Sequence, residues 1–204
     1  MPIDRPTLDR DLEAARPLLA ELADRIHDAP ELRFEEHRAS AWLADEAERA
    51  GARVERGLAS LPTAFRATVG PAGAGRVAIL AEYDALPEIG HACRHNLIAA
   101  GGLGAFLALA RQADQLDGEV TLVGTPAEEG GGGKIKLLEA SVFTGFDAAM
   151  MFHPFDRDLL AHPTLANTYV TLTFRGKAAH AAIAPWDGRS ALTACLDALR
   201  LVDG

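Results

Sequence analysis

Cysteine is scarce: the 204 residues hold only Cys93 and Cys195. That excludes a fold stapled by several disulfides and points to a reducing compartment, so the expected location is the cytoplasm. Long apolar runs are missing too. No stretch approaches the roughly 20 residues that span a bilayer, and the opening Met1-Pro2-Ile3-Asp4-Arg5 has no apolar signal core. Positive charge is the third shortage. Twenty Lys and Arg against 29 Asp and Glu leave a formal net charge of -9. Such an acidic surface argues against nucleic acid or an anionic membrane as partner. A small substrate, even an anionic one, is not excluded, because local site charge can differ from the total. What is present is ordinary for a globular protein: 49% hydrophobic and 24% charged residues. The length suits one core domain plus a small second one.

Apolar spacing organises the chain. Leu8, Leu12, Ala15, Leu19, Leu22 and Ile26 recur every three or four residues, which predicts an amphipathic helix ended by Ala29-Pro30. Pro17 inside it predicts a kink or a late start. A second helix is expected from Glu36 to Ala50, stopped by Gly51. Three short apolar runs read as buried strands of a mostly parallel sheet: Val77–Ala81, Val120–Val123 and Ala148–Phe152. Between them, Leu97–Ala110 is apolar almost all round and predicts a deeply buried helix, with Gly101, Gly102 and Gly104 allowing close approach. Lys134–Ala140 reads as a shorter helix. Strands alternating with helices imply a layered α/β fold. The pattern changes near Leu165. Thr168–Phe174 alternates like a half-buried antiparallel strand, and Ala191, Leu192, Cys195, Leu196, Leu199 and Val202 form one helix face. One strand and one helix cannot cover each other. The expected division is therefore a core domain over residues 1–165 and an unfinished second unit over 166–204, with the chain stopping inside a domain.

Chemistry-bearing residues gather where the strands end, the usual place for sites in α/β sheets. Glu82 and Asp84 follow one strand, Glu128 and Glu129 another, His153 a third, and His91-Ala92-Cys93-Arg94-His95-Asn96 leads into the buried helix. Thiolate, imidazole and carboxylate together suit zinc or a similar divalent ion. Cys93 and His95 can face one centre only from a turn, not from a regular helix. Glu128 and Glu129 repel each other unless compensated. A metal compensates one, and the other is free to act as general base on water. His153 supplies a fourth ligand, and Asp84 orients a ligand histidine. His180, among small residues, is placed to hydrogen-bond an oxyanion. Cys195 lies on an apolar helix face and packs. His27, His37 and His162 read as surface or loop residues, and His91 as a support for the site. Gly130–Lys134 is not a phosphate loop, because Glu128 stands where the first glycine belongs and Ile135 where Ser or Thr belongs.

These segments resemble the zinc metallopeptidase family of aminoacylases, carboxypeptidase G, indole-acetyl-amino-acid hydrolases and aminobenzoyl-glutamate hydrolase, known as peptidase family M-twenty. The likeness rests on Ile26-His27-Asp28-Ala29-Pro30-Glu31-Leu32, Phe34-Glu35-Glu36-His37, Glu82-Tyr83-Asp84-Ala85-Leu86-Pro87 and the His91–Asn96 segment. It continues through Thr125–Gly132, Phe152-His153-Pro154 and Gly176–Leu192. The Glu82–Pro87 and His95-Asn96 forms are nearest the amidohydrolase and dipeptidase branch. The resemblance implies two divalent metal ions (zinc, or manganese or cobalt), with Cys93 bridging them and His95, Glu129 and His153 as further ligands. Glu128 becomes the general base. Residues 166–204 become the start of a small α+β ferredoxin-like lid, through which a homodimer forms and which carries His180 to a partner's site. The implied substrate is a small amide or dipeptide with a free carboxylate, such as an N-acyl amino acid or an aminobenzoyl-glutamate-like compound. Arg94 departs from the family's usual glycine, and the family's members are longer. Two rivals stand beside this reading: a non-catalytic dimerisation or binding module, and a cysteine hydrolase using Cys93 with His95 as base.

Overall fold

The computed structural model describes residues 4–73, 75–160, 163, 165, 166, 168 and 170–203. Met1-Pro2-Ile3 and His162 lie outside the described residues. The chain forms two compact units, residues 1–157 and 158–204.

In the first unit, α1 (Arg5–Asp28) and α2 (His37–Arg49) come first, followed by β1 (Arg53–Arg56), β2 (Phe65–Val69) and β3 (Arg76–Ala81). Then come α3 (His95–Ala110), β4 (Glu119–Gly124), α4 (Gly133–Glu139) and β5 (Ala148–Met150). Helix α1 starts at once, with Pro6 in its first turn, where a missing N–H costs nothing. It runs through Pro17, so the expected late start does not occur. Its face of Ala15, Leu22, Ala23 and Ile26 is buried and holds the segment despite one lost hydrogen bond. Gly51, at φ +88, ends the turn after α2.

The sheet order is β1-β2-β4-β3-β5. β3 pairs in parallel with β4 and β5, whereas β1 pairs with β2, and β2 with β4, in antiparallel fashion. The expected mostly parallel sheet is therefore a mixed one. The short link from Arg56 to Phe65 explains the β1–β2 pair, since a parallel crossover needs a dozen or more residues. β1 and β2 have no counterpart among the expected strands. β1 carries a single apolar residue, Val54, and β2 is only five residues long.

Residues alternate across the sheet. Phe65, Ala67 and Val69 of β2, Ile79 and Ala81 of β3, and Val120 and Leu122 of β4 join one core with α1, α2 and α3. Helix α3 is packed so closely that a side chain at Gly104 would lie 2.6 Å from Leu19 Cδ1. On the other face, Arg53, Glu55, Arg66, Thr68, Arg76, Glu119 and Thr121 line a shallow cavity of about 350 Å³.

The second unit contains α5 (Ala191–Asp203) and an antiparallel bridge between Lys177 and Arg189. Among the described residues of 165–176 there is no strand. Val170 and Leu172, expected to be half-buried in one, are exposed, and Tyr169 lies outside the described residues. A strand needs a neighbour for its N–H and C=O groups, and among the described residues none is paired with this segment.

Candidate metal centre

The parallel strands β3, β4 and β5 end at the same rim and deliver their polar residues there. Beyond β3, Glu82 and Asp84 are two residues apart and both are buried. Beyond β4, Thr125 ties the chain back to β3 through its N–H (2.8 Å) and hydroxyl (3.1 Å), both donated to the Ala81 carbonyl. The chain then turns tightly through 128–131 into α4. That turn requires glycine: a side chain at Gly133 would sit 1.8 Å from the Pro126 carbonyl oxygen. Beyond β5 comes His153, and α3 begins with His95.

His95 organises the site. It is 1% exposed. Its Nδ1 lies 2.9 Å from Asp84 Oδ1. The carboxylate accepts, so Nδ1 carries the proton and Nε2 presents its lone pair. Nε2 has no hydrogen-bond partner, and neither does the buried Oε2 of Glu82, 3.5 Å away. Glu128 Oε2 and Glu129 Oε1 each lie 3.7 Å from the same nitrogen. These separations are long for hydrogen bonds. They suit two ligands on one tetrahedral cation at about 2.1 Å, whose donor atoms stand roughly 3.4 Å apart. Among the described residues, two donor sets each lie within 4.8 Å: Glu82, His95 and His153, and His95, Glu128 and Glu129. They share His95. The His153 ring stands edge-on to the His95 ring at 6.2 Å.

The electrostatics fit a cation. Burial disfavours charge on His95, yet its hydrogen bond to Asp84 and the charges of Asp84, Glu82 and Glu129 outweigh that and raise its pKa. Burial alone would raise Asp84, but the His95 hydrogen bond and the Glu129 N–H lower it overall. Glu128 is pushed up by burial and then by the charge of Glu82. Four carboxylates, Glu82 and Asp84 buried and Glu128 and Glu129 partly exposed, thus face one imidazole and the Lys134 ammonium, an arrangement that costs free energy unless a further positive ion or protons offset it.

The expected residues are distributed as follows. Cys93 lies in the turn before α3, exposed and beside Glu129. Its hydrogen bond with the Glu129 carboxylate, then burial and the nearby acids, push its thiol up to about 11. A thiol so disfavoured as thiolate is a poor nucleophile without a metal, which weighs against the cysteine-hydrolase rival. Arg94 is exposed and adopts a left-handed conformation, φ +63, so its side chain points to solvent and its backbone occupies a glycine-favouring position. His91 is buried beside the Ile26 backbone. His27 and His37 are exposed. His180 belongs to the second unit, where its Nδ1 accepts a hydrogen bond from the Ala182 N–H.

Two residues of the rim carry no role in the sequence reading. Glu82 is one; its alternation with Asp84 at a strand end places both on one side and was the available signal. Lys134 is the other, an ion-pair partner of Glu82 Oε1. It comes from α4, and no local pattern links it to Glu82. The cavity on the opposite sheet face is not a rival site. Each of its arginines is ion-paired: Arg76 lies 3.0 Å from Glu119, Arg53 lies 3.4 Å from Glu119, and Arg66 lies 2.6 Å from Glu55.

Comparison with known proteins agrees with this picture. The sequence model of peptidase family M20/M25/M40 matches residues 78–199. The chain is 43% identical over 208 residues to the Xaa-Arg dipeptidase of Mus musculus, covering 95% of this chain and 48% of the relative. It is 38% identical over 207 residues to a p-aminobenzoyl-glutamate hydrolase polypeptide of Escherichia coli, covering 92% and 43%. Among solved structures, a dinuclear metal-binding peptidase of the M20 family from Bacillus subtilis superposes with a TM-score of 0.61 at 28% identity, over 67% of this chain and 42% of that one. The chain spans about half the length of the curated relatives it matches.

Proposed function

Because the chain belongs to peptidase family M20/M25/M40, we propose that it carries the metal-binding part of a hydrolase that cleaves a small amide or dipeptide. The observation that carries the reading is the unpartnered Nε2 of buried His95, ringed by Glu82, Glu128 and Glu129 at cation-sharing distances. His95, Glu129, His153 and Cys93 are the proposed ligands of two divalent ions, zinc or manganese or cobalt. The dinuclear neighbour supports that number. When bound, such ions supply Lewis acidity, lowering the pKa of water and polarising a carbonyl.

The chain's own residues do the rest. Asp84 holds His95 in one tautomer. Glu128, the most exposed of the acids near His95, takes the proton of the attacking water and passes it to the departing amine. Its raised pKa suits that exchange. Carried by the lid to the site of a second copy, His180 donates a hydrogen bond to the oxyanion of the tetrahedral substrate. Residues 166–204 read as the start of a lid through which two copies pair. The names of the relatives support a dipeptide or an aminobenzoyl-glutamate-like amide as substrate.

The test separates ligands from base. Equilibrium dialysis against zinc should show stoichiometric metal on the wild type and on Glu128→Ala, and loss from His95→Ala and Glu129→Ala. Glu128→Ala should lower hydrolysis of an Xaa-Arg dipeptide by about 10²–10⁴-fold. Retained turnover in that variant removes the proposed base. A wild type without bound metal removes the hydrolase reading and leaves the binding-module rival.

A further inference from the structure

One buried carboxylate lies outside the cation-facing set. Glu36, at the start of α2, is 0% exposed, and its hydrogen-bond partners are all uncharged. Its Oε1 accepts two backbone N–H groups, from Phe34 at 2.9 Å and from Ala127 at 2.8 Å. Its Oε2 accepts the Thr63 hydroxyl at 2.8 Å. Phe34 and Ala127 both hold left-handed backbone, at φ +65 and φ +57. For residues with a side chain that conformation is strained. A single oxygen thus restrains two strained positions 93 residues apart in sequence, and the second of them immediately precedes Glu128. On the other side of the acid pair, the Glu129 N–H donates to Asp84 Oδ2 at 2.8 Å. The Glu128–Glu129 turn is therefore clamped by two carboxylates, one on each side. Thr63 extends the network: its carbonyl accepts the hydroxyl of fully buried Tyr83 at 2.6 Å, and Tyr83 sits between Glu82 and Asp84.

We propose that Glu36 is a positioning residue that fixes the Glu128–Glu129 pair against His95 by holding the Ala127 N–H. The inference rests on the metal-hydrolase reading above. It assigns Glu36 no contact with metal or substrate. Its action is to keep the turn from relaxing out of the left-handed conformation, which would swing both acids away from the imidazole.

The test uses the 204-residue chain and cobalt(II) as probe, titrated calorimetrically and by visible absorption. Hydrogen exchange at the Glu129 amide is followed alongside. Glu36→Gln keeps every contact, because its oxygen accepts both N–H groups and its amide donates to the Thr63 hydroxyl. It should bind cobalt within about twofold of wild type. Glu36→Leu fills the space but strands both N–H groups. It should bind cobalt about 10–100-fold more weakly and lose protection at Glu129, a residue Glu36 does not touch. Thr63→Val removes only the Oε2 partner. It should lose stability while keeping cobalt affinity and Glu129 protection. Glu36→Asp folds with the charge retained but falls short of both N–H groups, so it should follow Glu36→Leu if the latter does not fold. The inference is overturned if Glu36→Leu, or Glu36→Asp in its place, binds cobalt like wild type. It is also overturned if Thr63→Val loses cobalt to the same extent as those variants. If the wild type takes no cobalt, the metal reading fails. The Glu129 amide then judges the positioning role alone, and unchanged protection in the Glu36 variants overturns it.

Discussion

Helices α3 and α5 are both rich in apolar residues, yet one is buried and the other is not. Ile98, Leu103 and Phe106 of α3 are 0% exposed, whereas Leu192 and Leu199 of α5 are 70% and 59% exposed. The difference lies in what is packed against them. Helix α3 is enclosed by α1, β3 and β4. α5 has no buried residue, in a unit whose described residues contain no strand. The same contrast holds among the acids. Glu82 and Asp84 are buried around one imidazole, with Lys134 reaching only Glu82, whereas Glu55 and Glu119 are matched by arginines on the open sheet face. An apolar or acidic pattern states a requirement, and packing decides whether it is met.

The largest effect that sharpens this comparison should come from Asp84→Ala. It leaves buried His95 without its partner, which costs about 3–5 kcal/mol in chemical denaturation and about 10–100-fold in zinc affinity. The metal-free chain should also show a pH signature. His95 is raised above its usual 6.5, so its contribution is fully present below that value and is lost as pH rises through the higher folded pKa. Asp84 is lowered below its usual 3.8, so its contribution is present above that value and is lost as pH falls through the lower folded pKa. The gap between wild type and Asp84→Ala should therefore peak between these limits. A gap that does not vary with pH would show that the pair is not ionised.

Next, Leu103→Ala in α3 should cost about 2–5 kcal/mol, whereas Leu199→Ala in α5 should change stability by less than about 0.5 kcal/mol. Equal losses would break the comparison, because they would mean that α5 is packed in solution. The smallest effect concerns Arg94. Replacing it by glycine relieves a left-handed backbone and should raise stability by about 1 kcal/mol, seen as a higher Tm.

Much of this could be read from the residues. Periodicity located α1, α2 and α5, an almost unbroken apolar stretch located α3, and apolar runs located β3, β4 and β5 near their observed ends. β1 and β2 escaped because Arg53–Arg56 and Phe65–Val69 are short and interrupted by charge, so their signal is weaker than that of a loop with a stray valine. The antiparallel pairings escaped for a related reason, since the polarity of a neighbouring strand leaves no mark on a five-residue run. At the rim, residue type was enough to single out His95, Asp84, Glu128 and Glu129, which the fold gathers within a few ångströms. It was not enough for Lys134 or for the clamp at Glu36, because each depends on a partner about 50 to 90 residues away.

Composition and spacing by themselves determined that this is an α/β protein with a cluster of acids and histidines at strand ends. Local chain geometry obliges those residues to leave the sheet on one rim. Only the tertiary structure decided which nitrogen of His95 is free, which acids face it and which carboxylate restrains the turn between them. Those outcomes turn on distances between segments remote in sequence, and such distances exist only once the core has packed.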